Sequence, residues 1–266
     1  MIPNVLTIAG VDPSGGAGIA ADLKAFSAQG AYGMCVVTAL TAQNTRAVTG
    51  VRLIEPVFVV EQIDAVFADV RVDAVKIGMI GTAEIAAAVA AALRRHDARH
   101  VVIDPVMIAK SGDRLLAEAA VAAMRTLLLP LAEVVTPNLP EAAVLVGTPE
   151  PRDLAGMRAA ATAIAALGPA SVLVKGGHLD GPESVDVFLD GDAVTELRAP
   201  RIATKNTHGT GCTLSAAIAA LLPRMGRLEA VRAAKDYLTG ALAAADDLTV
   251  GTGHGPVHHF HALWKA

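Results

Sequence analysis

Six short runs rich in valine, isoleucine and leucine constrain this 266-residue chain more than any other feature. They are VLTIA (5–9), CVVTAL (35–40), DAVKIG (73–78), HVVID (100–104), EVVT (133–136) and SVLVKG (171–176). They are apolar almost throughout rather than alternating, the pattern of strands buried on both faces. Alanine-rich helical patterns lie between them, at Ala17–Gln29, Val57–Asp69, Ala83–His96, Leu115–Leu129, Glu141–Val146 and Leu154–Leu167. Pro56 suits the first position of its helix. Strand–helix alternation predicts an α/β fold with a central, mostly parallel sheet flanked by helices on both faces. Residues 184–199 alternate instead, and Asp190-Gly191-Asp192 predicts an edge hairpin there. Two more helices, Thr210–Leu222 and Leu228–Ala245, precede a Gly/His-rich tail. With no linker and no internal repeat, residues 1–266 read as one domain.

A net charge of -4 and 3% aromatics argue against a nucleic-acid partner, which needs a basic face or stacking platforms. The longest uncharged helical run, Gly209–Leu222, is short of the roughly 20 apolar residues of a membrane span. MIPNVLTIAG has no basic leader or long apolar core, so a cytoplasmic protein without a membrane partner is expected. The two cysteines, Cys35 and Cys212, form no Cys-x-x-Cys pair. Cys35, within an apolar strand, is expected to be a buried filler.

Nearly every strand run ends in a small or polar cluster. These clusters carry Asp12, Gln43, Asp104, Asn138, Glu141 and Lys175. In open parallel sheets ligands bind outside the carboxyl ends of strands, so the clusters predict one shared cleft rather than unrelated turns. Gly16–Ala21 fits the dinucleotide pattern G-x-G-x-x-A, but it opens late after its strand, and the second strand ends without a ribose-binding carboxylate. Gly10 to Gly15 has Walker A spacing, but no Lys-Ser/Thr follows. NTHGTGCTLSAA (206–217) is more informative. Glycines directly before a helix let backbone N–H groups converge, and the first helical turn adds unpaired donors and the positive dipole end. That combination predicts an anion site suited to a nucleotide phosphate. Cys212 then sits at the helix start, where its thiol pKa should be pulled down. It could act as a base or a nucleophile toward a transferring phosphoryl group, or be a small buried residue.

TIAGVDPSGGAGIAADLKAFSAQGAYG (7–33), KIGMIG (76–81), DPVMIAKSGD (104–113), TPNLPEA (136–142), VKGGH (174–178), NTHGTGCTLSAA and GPVHHFH (255–261) occur in this order. From Val5 to His261 the chain resembles the hydroxymethylpyrimidine/phosphomethylpyrimidine kinases of thiamine biosynthesis, members of the ribokinase-like superfamily. The resemblance implies a homodimer that uses ATP and Mg²⁺. It implies phosphorylation of hydroxymethylpyrimidine to the monophosphate and then to the diphosphate. By position, Gly10, Asp12 and Ala17 would line the pyrimidine pocket. Gln43 would bond the ring nitrogen and amine, and Met79 and Val106 would pack on the ring. Asn138 and Glu141 would orient Mg²⁺ waters and phosphate; Asp104 would join them or cap its turn. Lys175 and Thr210 would contact ATP phosphates, with Asn138 nearby. Gly209, Gly211 and Cys212 would form the anion hole, with Cys212 taking a proton where the related sugar kinases use aspartate. Some members carry glutamate in place of Gln43, so ring recognition differs in detail. The alternatives are a pyridoxal or pyridoxine kinase on the same scaffold, or a non-catalytic pyrimidine-binding protein.

His254, His258, His259 and His261 allow either a metal site or a packed tail. His208 is expected to orient the anion loop or approach phosphate. Asp22 reads equally as a solvated helix carboxylate or a substrate contact.

Overall fold

A computed structural model describes residues 1–107, 118–177 and 179–264. The ends of two motifs, residues 108–113 and His178, lie outside the described residues, as do residues 115–117 of an expected helix.

The strands are β1 (Asn4–Val11), β2 (Tyr32–Gln43), β3 (Val48–Leu53), β4 (Ala74–Ile77), β5 (Val101–Ile103), β6 (Val134–Val135), β7 (Ser171–Val174), β8 (Glu183–Asp190) and β9 (Ala193–Pro200). The helices are α1 (Gly18–Ala28), α2 (Pro56–Asp69), α3 (Ala83–Arg95), α4 (Glu118–Ala123, continuing as a π turn over Met124–Leu128), α5 (Leu139–Val146), α6 (Leu154–Ala165), α7 (Thr210–Leu221) and α8 (Arg227–Ala243). The strands form one sheet in the order β3-β2-β1-β4-β5-β6-β7-β8-β9. The pairs from β2 through β7 are parallel. The outer pairs β2–β3, β7–β8 and β8–β9 are antiparallel.

The apolar runs follow from coverage of both sheet faces. Successive strand residues point to opposite sides. Leu6, Ile8, Val75, Ile77, Val101 and Ile103 enter a core with α2–α6. Val5, Ala74, Val102, Val134 and Leu173 enter a second core with α1, α7 and α8. Helix α7 is buried at every residue from Thr213 to Leu221, which explains its uniformly apolar sequence. Among the described residues no helix is long and apolar enough to cross a membrane.

The edge hairpin β8–β9 forms as expected, turning at Gly191 with φ 59°. One strand goes unforeseen and one expectation fails. Strand β3 follows β2 through a turn in which the Asn44 side chain accepts N–H bonds from Arg46 (2.9 Å) and Ala47 (3.2 Å). Its VTGVRL sequence is half exposed at the sheet edge, so it lacks the apolar run that marked the central strands. Cys35 is exposed rather than buried, because the start of β2 is open to solvent.

From β1 the chain runs to β2 and β3 on one side, then returns to the other side of β1 for β4. Such a reversal opens a crevice outside the carboxyl ends of the strands.

Candidate functional site

A cavity of about 470 Å³ occupies that crevice. All the expected site residues line it. Gly10, Asp12 and Ala17 come from the β1–α1 connection, Gln43 from the end of β2, and Met79 from beyond β4. Asp104 and Val106 follow β5, Asn138 and Glu141 open α5, and Lys175 follows β7. Gly209 through Cys212 close the site at the start of α7.

Two glycine loops meet face to face. Gly209, the N-cap of α7, has φ 77°, and a Cβ there would lie 1.8 Å from the Gly16 carbonyl oxygen. Gly18, with φ 54°, would place a Cβ 2.3 Å from the Gly10 carbonyl oxygen. Only glycine tolerates both the positive φ and the close approach. No side chain caps α7, so its first N–H groups remain available to an anion at the cavity wall.

Asp12 holds the first loop together. Its carboxylate accepts from Ser14 N–H (2.8 Å), Ser14 Oγ (2.7 Å) and Ala17 N–H (2.9 Å). It also pairs with His208 Nε2 at 2.7 Å, which ties the two glycine loops together. Burial alone would raise the Asp12 pKa, but the His208 and Ser14 bonds outweigh it and keep the carboxylate ionised. His208 is therefore a loop-orienting residue. Gln43 accepts from Thr41 Oγ1 (3.2 Å) and lies 3.5 Å from His208.

At the other end, Lys175 Nζ donates to Asp104 Oδ1 (2.8 Å) and lies 4.0 Å from Glu141 Oε2. Thr136 Oγ1 also donates to Asp104 (3.1 Å). Asn138 and Glu141 form a reciprocal capping box: each backbone N–H donates to the other's side chain at 2.8 Å. Burial pushes Glu141 up to about 7, with the Asp104 charge adding to it and Lys175 opposing it. Asp104 goes the other way: the two lysines, Lys175 and Lys76, overcome burial and hold it below the ordinary carboxylate value.

Cys212 does not behave as expected. Burial pushes its thiol up to about 11, despite the charge of Lys76 and a hydrogen bond from Gly18 N–H. Desolvation of the thiolate outweighs the favourable helix end. Its position at the start of α7, within the cavity wall, is as expected.

The site also contains a residue to which sequence reasoning assigned no role. Lys76, on β4, borders the cavity and is paired with Asp22 of α1 at 2.9 Å. Asp22 is thus neither solvated nor an evident substrate contact; it is wholly buried. The available signal was a lysine inside the apolar run AVKI.

The tail folds against α7 and α8. His259 is buried and lies 3.1 Å from Thr213 Oγ1, and His258 N–H donates to Ala241 O (2.9 Å). Burial lowers the His259 pKa to about 3, so the ring is neutral. Among the described residues no three His, Cys, Asp or Glu side chains converge as a metal cluster.

A model of the phosphomethylpyrimidine kinase family matches residues 12–258. The chain belongs to this family. It is 56% identical over 262 residues to the hydroxymethylpyrimidine/phosphomethylpyrimidine kinase of Escherichia coli (strain K12), covering 98% of each chain. The fold is ribokinase-like. It matches the phosphomethylpyrimidine kinase of Clostridium difficile with a TM-score of 0.80 at 43% identity, over 90% of this chain and 99% of that one. It matches the pyridoxal kinase of Bacillus subtilis, solved as an ADP complex, with a TM-score of 0.90 at 36% identity, over 98% and 99%.

Proposed function

We propose that this protein transfers a phosphoryl group from ATP to the hydroxymethyl group of 4-amino-5-hydroxymethyl-2-methylpyrimidine, and then a second to the monophosphate, in thiamine diphosphate biosynthesis. The observation that carries the reading is one cavity that joins two kinds of surface. Gly10, Ala17, Gln43, Met79 and Val106 offer a small, mainly apolar ring pocket with one amide; the uncapped α7 start faces the Lys175–Asp104 pair beside it.

In the first transfer the substrate hydroxyl oxygen bonds to the γ-phosphorus, and the bond from that phosphorus to the bridging oxygen breaks. ADP leaves, and the hydroxyl proton passes to the Cys212 sulfur. The N–H groups at Gly209–Cys212 and the Lys175 ammonium stabilise the charge on the moving group, and Thr210 contacts the ATP phosphates. Because the resting thiol is protonated, it must first release a proton to solvent before it can accept one. In the second transfer the acceptor is a phosphate oxygen, which needs no base at neutral pH.

Mg²⁺ fits the donor set: Glu141 and Asp104 are hard oxygen ligands, and Glu141, raised by burial and by Asp104, gains from an added cation. Magnesium keeps several waters, so two carboxylates and an Asn138-ordered water suffice. When bound it supplies charge neutralisation on the phosphates.

A homodimer is consistent with the exposed apolar side chains of Leu40 and Leu53 on β2–β3 and of Val57 and Phe58 on α2. Product analysis with ATP and hydroxymethylpyrimidine tests the whole reading: monophosphate followed by diphosphate is expected, and neither product would refute it. The fold match to a pyridoxal kinase favours a second reading, phosphorylation of pyridoxine. A kcat/KM for pyridoxine above that for hydroxymethylpyrimidine would establish it.

A further inference from the structure

A buried ion pair beneath the transfer site takes no part in the chemistry above. Lys76 and Asp22 are both wholly inaccessible, and Lys76 Nζ lies 2.9 Å from each Asp22 oxygen. Thr7 Oγ1 donates to Asp22 at 2.6 Å. Thr7 and Lys76 are register partners on β1 and β4, on the face that carries α1 and α7. Gly78, next on that face, makes room for the ammonium: a Cβ there would lie 2.8 Å from Lys76 Nζ and 3.1 Å from the Ala9 Cβ.

Stability alone is a weak reason for such a pair, since well-packed apolar replacements of buried ion pairs are often neutral or better. The pair has a neighbour that explains it. Cys212, at the start of α7, lines the same cavity wall as Lys76, and α7 packs against β4. The Lys76 charge and the Gly18 N–H favour a thiolate there, while burial, Asp22 and Asp104 oppose it. Lys175, beyond β7, also feels the sulfur's charge. Burial opposes the Lys76 charge, but Asp22, Cys212 and Asp104 together hold the ammonium above the ordinary lysine value. It therefore stays charged throughout the neutral range.

We propose that Lys76, oriented by Asp22, is a positioning residue of the transfer site: its buried ammonium, in the cavity wall that also carries Cys212, holds negative charge on that sulfur as the substrate hydroxyl gives up its proton. The proposal rests on the reading of Cys212 as the base.

The test uses the full chain with Cys35→Ser, which leaves Cys212 as its one thiol. Thiolate absorbance in the ultraviolet is followed against pH. Lys76→Met is expected to move the titration upward by about one unit or more, about tenfold less thiolate at a given pH. The kcat is expected to fall by about tenfold or more, with KM values for ATP and pyrimidine within about twofold of the parent. If Lys76→Met fails to fold because Asp22 is left unpaired, Lys76→Met/Asp22→Asn removes both charges. It should give a smaller shift than Lys76→Met, because the lost Asp22 charge favoured the protonated thiol and offsets part of the loss of Lys76. An unmoved titration in a folded variant overturns the proposal. A moved titration with unchanged kcat also overturns it, but through the role of Cys212 and not the placement of Lys76.

Discussion

Lys175 Nζ and Asp104 Oδ1 are bonded at 2.8 Å directly beneath Gly211. A Cβ on Gly211 would lie 3.2 Å from both the Asp104 Oδ2 and the Lys175 Nζ. The start of α7 thus rests on an ion pair drawn from two different strand ends, which sets a cationic group beside the helix N–H donors.

Lys175→Met should therefore lower kcat/KM for the pyrimidine by about 100-fold or more, the range for removal of a preorganised charge-stabilising group. Steady-state kinetics with calorimetric ATP binding checks this. Near-parent turnover would remove Lys175 from the reaction.

The raised Cys212 thiol predicts an alkaline requirement. A base works deprotonated, so with its pKa near 11 the rate should climb with pH across the neutral range. Cys212→Asp should move that rise to acidic pH, and Cys212→Ala should cost about 10²–10⁴-fold in kcat. A flat pH–rate profile shared by the parent and Cys212→Ala would contradict the assignment.

Glu141 couples stability to pH. Its folded pKa, about 7, lies above the ordinary 4.5, so the folded state binds its proton more tightly. The stability this provides is complete below the unfolded value and is lost as pH rises through about 7. Glu141→Gln should flatten this decline and raise the melting temperature above pH 7, while weakening the response to added Mg²⁺. Thermal scans from pH 4.5 to 8.5, with and without Mg²⁺, test both effects.

Gly209→Ala combines a positive φ of 77° with a contact of 1.8 Å to the Gly16 oxygen. It should destabilise the fold by about 1–3 kcal/mol and separate the glycine loops. Gly226→Ala, at the N-cap of α8 with φ -66° and nothing within 4 Å of the added carbon, carries no such strain and should cost only the poorer cap, about 0.5–1 kcal/mol. Chemical denaturation of the two variants makes the comparison.

Much of this arrangement is legible in the amino-acid sequence. Val5 and Leu6, or Val101 and Val102, read as apolar neighbours because helices cover both sheet faces. The loops bearing Asp12, Gln43, Asp104 and Lys175 read as one cleft because parallel strands end on the same side. The glycines of HGTGCT read as an anion loop because they precede a helix. Strand β3 is not legible, because an exposed edge needs no apolar run. Nor is the role of Lys76, because nothing local distinguishes a buried, paired lysine from one that reaches solvent.

The parallel α/β sheet, the edge of that sheet where the polar loops gather, and the glycine-led start of α7 all follow from the order of residues along the chain. These follow from spacing and backbone freedom, which are local. The charge states come from packing: Cys212 protonated, Asp12 ionised by His208, Glu141 poised near neutrality and Lys76 locked on Asp22. Protonation depends on how much water is removed from a group and which charges replace it, and both are fixed by residues distant in sequence.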